Sequence, residues 1–283
     1  MGAWDFIKSS PWLTIVVGHF GVGKTNFCLN LVAQAQGLRR GEESGGGAAV
    51  SAGAAGAPGA AADPALTLID LDLINPYFRS SEAALELEAK GVRLLGPVFA
   101  RTTLDTPSLA PGIDDALREA SAAHPVVIDV GGDPDGARAL ARFAPIINSL
   151  PYRMLYLANF KRPEVADPQS ALAVLRLIEE KSHIKVTGLI GNTHLKQEST
   201  VEDIMSGLDG LQALAELASL PVLGIAVPAK LADDVAAQLG GQGSQASRGS
   251  QAIQGSPGSP GGFDSALLMP IQTLVGSPWE LDA

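Results

Sequence analysis

The chain of 283 residues carries a single cysteine, Cys28. That excludes a disulfide framework within one chain, and it excludes a zinc or iron–sulfur site built from several cysteines of one chain. Basic residues are in the minority, with Lys+Arg 20 against Asp+Glu 30 and a net charge of -10. A surface of that sign argues against general nucleic-acid binding, which needs cations to neutralise phosphates, and against docking on anionic lipid. No run reaches the roughly 18 apolar residues of a membrane helix. The opening MGAWDFIKSSPW lacks a basic region followed by an apolar run, and Gly2 is not followed by the Ser or Thr that myristoylation requires. The expected location is the cytoplasm, with neither nucleic acid nor membrane as partner. No internal repeat is visible beyond two low-complexity stretches.

What is present is a rhythm of short apolar runs and helical patterns. Strands are expected at 12–18, 66–71, 92–95, 125–130, 153–158, 185–191 and 221–227. Several are apolar on successive residues, as strands buried on both faces read. Helical patterns lie between them at 24–36, 80–90, 112–122, 134–148, 168–181, 200–218 and 229–238. The alternation predicts an α/β doubly wound, mostly parallel sheet with helices on both faces, in one domain over 1–283. Residues 38–65 and 240–262 break the rhythm. Both are rich in Gly, Ala, Ser and Pro, and both are expected to be disordered insertions, since they cannot bury enough side chain to offset ordering entropy.

The run Gly18-His19-Phe20-Gly21-Val22-Gly23-Lys24-Thr25 fits G-x-x-x-x-G-K-[ST], follows an apolar strand and opens a helix. In such a P-loop the glycines let consecutive N–H groups turn toward phosphate oxygens, and the helix start adds its positive end. Lys24 would reach the β- and γ-phosphates, and the Thr25 hydroxyl would meet magnesium. These eight residues, with Asn26 next on the helix, form the expected nucleotide-binding set. Cys28, one turn later, reads as a small core residue.

A P-loop needs acids to hold magnesium and position water. Two strand ends offer them: LTLIDLDLINPYFRSSE with Asp70 and Asp72, and PVVIDVGGDPDGARAL with Asp129 and Asp133. The second reads as Walker B, with Gly131 and Gly132 letting the backbone approach the γ-phosphate. Asp70 is open to a structural hydrogen bond, and Asp133 to capping the helix that starts near Pro134.

Together these segments resemble the MinD/ParA/CobQ/CobB group of P-loop proteins. GVGKT looks like the end of that group's KGGVGKT, IDLDLINPYFR like its switch motif ID-x-D, and VIDVGG like its Walker B strand. GLIGNTHL resembles the strand ending in a base-contacting Asn, and LPVLGIAVPAKLADDV the PVLG-x-IP-x-D segment bordering adenine. Within the group, the wording is similar to a bacterial subset described only as ATP-binding. The resemblance implies Lys24 and Thr25 on phosphates and magnesium, Lys24 and Asp72 as the catalytic residues with Asp72 the switch acid orienting water beside the metal, and Asp129 in the magnesium second shell. It places Asn192 and Pro228 at the base. It also implies ATP and magnesium as ligands, with a homodimer possible. ATP is preferred to GTP because the guanine-reading Asn-Lys-x-Asp is replaced by Asn192-Thr193-His194-Leu195.

Two features depart from the group. Its signature lysine falls at His19, so a fixed charge is missing, for which Arg79 or Lys161 are candidates. Its basic amphipathic membrane tail is replaced by MPIQTLVGSPWELDA. The reading is a slow ATPase acting as a nucleotide-dependent switch on an unidentified client protein, with Tyr77, Phe78 and Arg79 after the switch acid suited to an interface, or Tyr77 and Phe78 to packing against the next helix. The alternatives are an ATP-dependent small-molecule kinase or ligase-like enzyme, and a module that binds nucleotide without hydrolysis. His183 and His194 read as surface or packing histidines.

Overall fold

The computed structural model describes residues 10–44, 66–72, 82–89, 91–96, 111–132, 134–195, 198–246 and 263–274. Strands β1 (Leu13–Val17), β2 (Leu66–Leu71) and β4 (Val126–Val130) are buried at every position, which requires cover on both faces of a sheet. The sheet has eight strands in the order β3-β2-β4-β1-β5-β6-β7-β8, every pair parallel. The others are β3 (Val92–Leu95), β5 (Tyr152–Ala158), β6 (Gly188–Gly191), β7 (Val222–Pro228) and β8 (Leu268–Ile271).

Because side chains alternate along a strand, each strand feeds two cores. Leu13, Ile15, Val17, Ile128 and Tyr156 pack with residues of α3 (Ile113–Arg118), α4 (Pro134–Ala141), α5 (Ala144–Ile147), α6 (Pro168–Ser182), α7 (Val201–Ala218) and α8 (Ala232–Ala246). Val16, Leu68, Val127 and Leu155 pack on the opposite face with Phe27 and Leu31 of α1 (Lys24–Ser44) and Leu87 of α2 (Glu82–Ala89). Each fully buried Leu, Ile or Phe contributes about 1.5–3 kcal/mol. The expected doubly wound α/β fold is therefore what the chain adopts. No helix among the described residues is long and apolar enough to cross a membrane.

Several elements differ from the sequence expectation for identifiable reasons. The pattern over 134–148 breaks into α4 and α5 around Phe143, where Pro145 opens a new helix because it has no N–H to continue the old one. The helix expected over 112–122 stops at Arg118, and the chain turns through Ser121 and His124, which bond each other's backbone in both directions. The strand expected from 185 starts at Gly188, because the Val186 N–H donates to the Glu179 carboxylate at 3.0 Å rather than to a neighbouring strand. β8 was not expected at all. It is four residues long and contains Pro270, and it is tolerated because it lies at the edge of the sheet, bonded to β7 alone.

Helix α1 runs on to Ser44, into the stretch 38–65, and α8 runs to Ala246, into the stretch 240–262. The rest of the first stretch up to Ala65, and 247–262 of the second, lie outside the described residues.

Candidate functional site

Strand order makes the site. β1 is flanked by β4 on one side and β5 on the other. The chain leaves β1 toward β2, then crosses from β4 back over β1 to β5. The crevice beyond the carboxyl ends of these strands is the topological switch point where open α/β sheets place ligands. The loop Gly18 to Thr25 occupies it.

The loop's shape is written in its backbone. Gly21 and Gly23 have φ 72° and 90°, a region that side chains with a Cβ rarely occupy. At Gly23 space is limiting too, since a Cβ there would lie 2.7 Å from Asn192 Nδ2 and 3.0 Å from His194 Nε2. Phe27 N donates to the Gly23 carbonyl at 3.0 Å, so the helix starts directly from the loop. Lys24 is buried, and its Nζ donates to the His19 carbonyl at 3.1 Å, folding the side chain back over the loop. His19 Nδ1 lies 3.1 Å from the Phe20 carbonyl, which can only accept, so this nitrogen carries the hydrogen. Phe20 is exposed, while Val22 is fully buried.

The acids come from the β4 and β2 ends. Asp70 and Asp129 sit side by side in the β2–β4 register, both buried and both on the α1 face of the sheet. Burial pushes the Asp129 carboxyl up to about 6, against the opposing pull of a hydrogen bond from Thr25 and the charge of Lys24. Asp72 adds a like charge nearby. Asp129 Oδ1 is buried without a hydrogen-bond partner. Cys28 donates to the same carboxylate, and burial raises its thiol well above the usual range, which fits the expected inert core residue. Asp70 Oδ1 accepts from the backbone N–H of Asp72 at 2.8 Å. Gly132 closes the site from above. A Cβ on it would fall 2.6 Å from Lys24 Nζ and 2.6 Å from Phe20 Cα.

The other wall is built by residues that sequence reasoning missed or assigned elsewhere. Asn159, at the end of β5, is buried. Its Oδ1 accepts from Lys161 N at 3.0 Å and His194 N at 3.4 Å, and its Nδ2 donates to the His194 carbonyl at 3.2 Å. It ties the loop after β5 to the loop after β6. Arg162, also unanticipated, lays its guanidinium against Gly21. His194, expected to be a surface or packing residue, is half-buried with its ring against Gly23. Lys161, one candidate for the missing charge, is ion-paired with Asp203 at 2.9 Å. The signal for Arg162 was present in Lys161-Arg162-Pro163 after an apolar strand, but two adjacent cations do not reveal which one faces the loop.

Two expected nucleotide contacts have other occupations. Asn26 Nδ2 donates to the Gln272 carbonyl at 2.9 Å, and its Oδ1 accepts from Leu274 N at 2.7 Å. Its side chain is thus committed to the segment after β8, leaving its backbone to face the loop. Asn192, expected at the base, is buried and turns its Nδ2 onto the Val22 carbonyl at 2.7 Å. Its Oδ1 is buried without a partner. Pro228 lies at the end of β7. Asp133, Tyr77, Phe78 and Arg79 fall outside the described residues.

No protein-family model and no curated protein matches the chain. Among solved structures it is similar to the signal recognition particle 54 kDa protein from Aeropyrum pernix K1 in complex with GDP, at 17% identity and TM-score 0.43, over 77% of this chain and 41% of that one. It is also similar to the signal recognition particle receptor FtsY from Elizabethkingia anophelis in complex with GDP, at 17% identity and TM-score 0.44, over 77% and 57%. A third is the cell division protein FtsY from Thermotoga maritima, at 18% identity and TM-score 0.40, over 77% and 62%. The chain spans between 41% and 62% of the length of these neighbours.

Proposed function

We propose that this chain binds ATP with magnesium in the loop Gly18 to Thr25 and hydrolyses it slowly, as a switch read by a client protein. The observation that carries the reading is the pairing of a glycine-shaped loop at the head of α1 with a buried, unpartnered oxygen on Asp129, the carboxylate that bonds Thr25. A bare carboxylate oxygen at this depth costs stability unless something answers it. A hard divalent cation, or a water on one, is the chemistry that fits beside a threonine hydroxyl.

In this reading Thr25 and Asp129 would hold magnesium, which would supply positive charge against the phosphates. The loop's N–H groups and the positive end of α1 receive the β-phosphate. Lys24 exchanges the His19 carbonyl for phosphate oxygens. Asp72, tethered through its backbone to Asp70, orients the water that attacks the γ-phosphorus, so that the bond to the bridging oxygen breaks and ADP and phosphate leave. Gly132 keeps the Walker B turn close enough for its backbone to sense the γ-phosphate. The MinD/ParA-like assignment rests on the order of motifs along the chain and on Asp70 and Asp72 at the end of β2, beside β4.

Calorimetric titration tests the ligand. ATP with magnesium is expected to bind at least tenfold more tightly than ATP in excess EDTA, and more tightly than GTP. Equal affinity with and without magnesium would remove Thr25 and Asp129 from the assignment, and preference for GTP would overturn the choice of base.

A further inference from the structure

The group this chain resembles carries a fixed positive charge in its loop at the position of His19. Among the described residues, Arg162 brings a guanidinium to the loop from the opposite wall, beside Asn192 and the His194 ring. A Cβ built on Gly21 would meet Arg162 Cζ at 3.2 Å, Nη2 at 3.4 Å and Nε at 3.5 Å. The guanidinium therefore lies against the bare Cα of Gly21, close enough that a Cβ there would press on it.

The side chain is delivered there by a braced turn. Arg162 N donates to the Asn159 carbonyl at 3.2 Å, and the Arg162 carbonyl accepts from Val165 N at 3.1 Å. Pro163 starts the next short helix and stiffens the turn. Lys161, its neighbour, is held away by Asp203 at 2.9 Å. The same acid caps α7 in a capping box with Thr200, so the lysine is anchored to a helix end.

Arg162 Nε is buried and has no hydrogen-bond partner. A buried guanidinium N–H without an acceptor is unfavourable and is rare in native proteins. No carboxylate is paired with Arg162 among the described residues, whereas Lys161, Arg176 and Lys185 each have one. A cation beside an anion-binding loop, with a donor unanswered, lacks an anionic acceptor. Phosphate oxygens supply one, and the planar fork of arginine suits them in a way that a lysine ammonium does not.

We propose that Arg162 is a phosphate-binding residue of this site: it lies across Gly21 and donates to the phosphate oxygens of the bound nucleoside triphosphate. It supplies from the β5 loop the charge that His19 does not. This rests on the nucleotide-binding reading above, and its test separates the two.

The experiment is calorimetric titration of the full chain with ATP, ADP and AMP, each with magnesium, for the unaltered protein, Arg162→Ala, Arg162→Lys and Lys24→Ala. A charge-assisted hydrogen bond is worth about 1.5–3 kcal/mol. Arg162→Ala is therefore expected to weaken ATP on the order of 10- to 100-fold. ADP should lose less and AMP little, with Arg162→Lys recovering only part of the ATP loss. Thermal melting of the ligand-free variants should remain within a few degrees of the unaltered protein. If the unaltered protein binds ATP and Lys24→Ala loses it, but Arg162→Ala binds ATP as well as the parent, Arg162 is no phosphate ligand and the nucleotide reading stands. If Arg162→Ala weakens all three nucleotides equally and melts early, its role is to hold the loop's shape, and the inference is wrong. If the unaltered protein binds none of them, the parent reading fails and this inference fails with it.

Discussion

The side-chain amide of Asn192 donates a 2.7 Å hydrogen bond to the main-chain carbonyl of Val22, joining the end of β6 to the loop after β1. Both groups are buried, so neither can turn to water when the other is removed. Asn192→Ala leaves the Val22 carbonyl unanswered and should cost about 1–3 kcal/mol in chemical denaturation. Asn192→Asp should be worse, since it sets an acceptor against an acceptor. Both variants are expected to weaken ATP in titration. Unchanged stability in Asn192→Ala would mean that the bond is not part of what shapes the loop.

Gly132 tests the closeness of the two halves of the site. An alanine methyl at this position would fall on Lys24 Nζ and on the Phe20 backbone, both at 2.6 Å. The lysine tip can move aside, but the backbone cannot. Gly132→Ala should therefore lower ATP affinity by an order of magnitude or more while leaving the circular dichroism of the fold intact. Normal affinity would show that the turn after β4 is free to withdraw from the loop.

The pH dependence follows from Asp129. Its carboxyl is held at about 6, above the ordinary carboxylate range, by burial. Between that ordinary range and about 6 the folded, ligand-free protein binds more protons at this group than the unfolded chain does. Its contribution to stability is therefore greatest below the ordinary range and is lost as pH rises through about 6. Denaturation of ligand-free protein should show this slope, and Asp129→Asn should abolish it. Magnesium favours the ionised form, so cation-dependent ATP binding is expected to weaken as pH falls below about 6. A slope unchanged by Asp129→Asn would assign the effect elsewhere.

The edge strand is fastened to the helix that begins in the loop. Asn26 and Asn30 make four hydrogen bonds to the backbone of Gln272 and Leu274, at 2.7 to 2.9 Å. Asn30→Ala should cost roughly 1–3 kcal/mol. It should also release the Gln272 amide to hydrogen exchange before the rest of the sheet. Protection of that amide equal to that of the central strands would contradict the assignment of these bonds.

Much of this was legible before the structure because the signals were local. A glycine-rich turn between an apolar strand and a helix has few other uses, and strands buried on both faces betray their burial by lacking alternation, as in Val126–Val130. What was hidden depended on partners far along the chain. Pro270 disguised β8, since proline is compatible with a strand only at an edge, and edges are defined by topology rather than by sequence. Asn26 and Asn192 could each be placed near the loop, yet whether a side-chain amide faces ligand or backbone is decided by residues 246 and 170 positions away. Arg162 was invisible for the same reason. The bare Cα it rests on belongs to Gly21, and nothing in Lys161-Arg162-Pro163 announces which cation is ion-paired and which is not.

The central claim is that the loop Gly18 to Thr25 holds ATP and that the acids beside it support turnover. Phosphate release from ATP with magnesium, followed at several protein concentrations beside Lys24→Ala and Asp72→Asn, tests it most directly. Slow release is expected, with Lys24→Ala losing binding and Asp72→Asn retaining binding but losing at least tenfold in rate. Failure of the unaltered protein to bind ATP, or binding that Lys24→Ala leaves intact, would contradict the account.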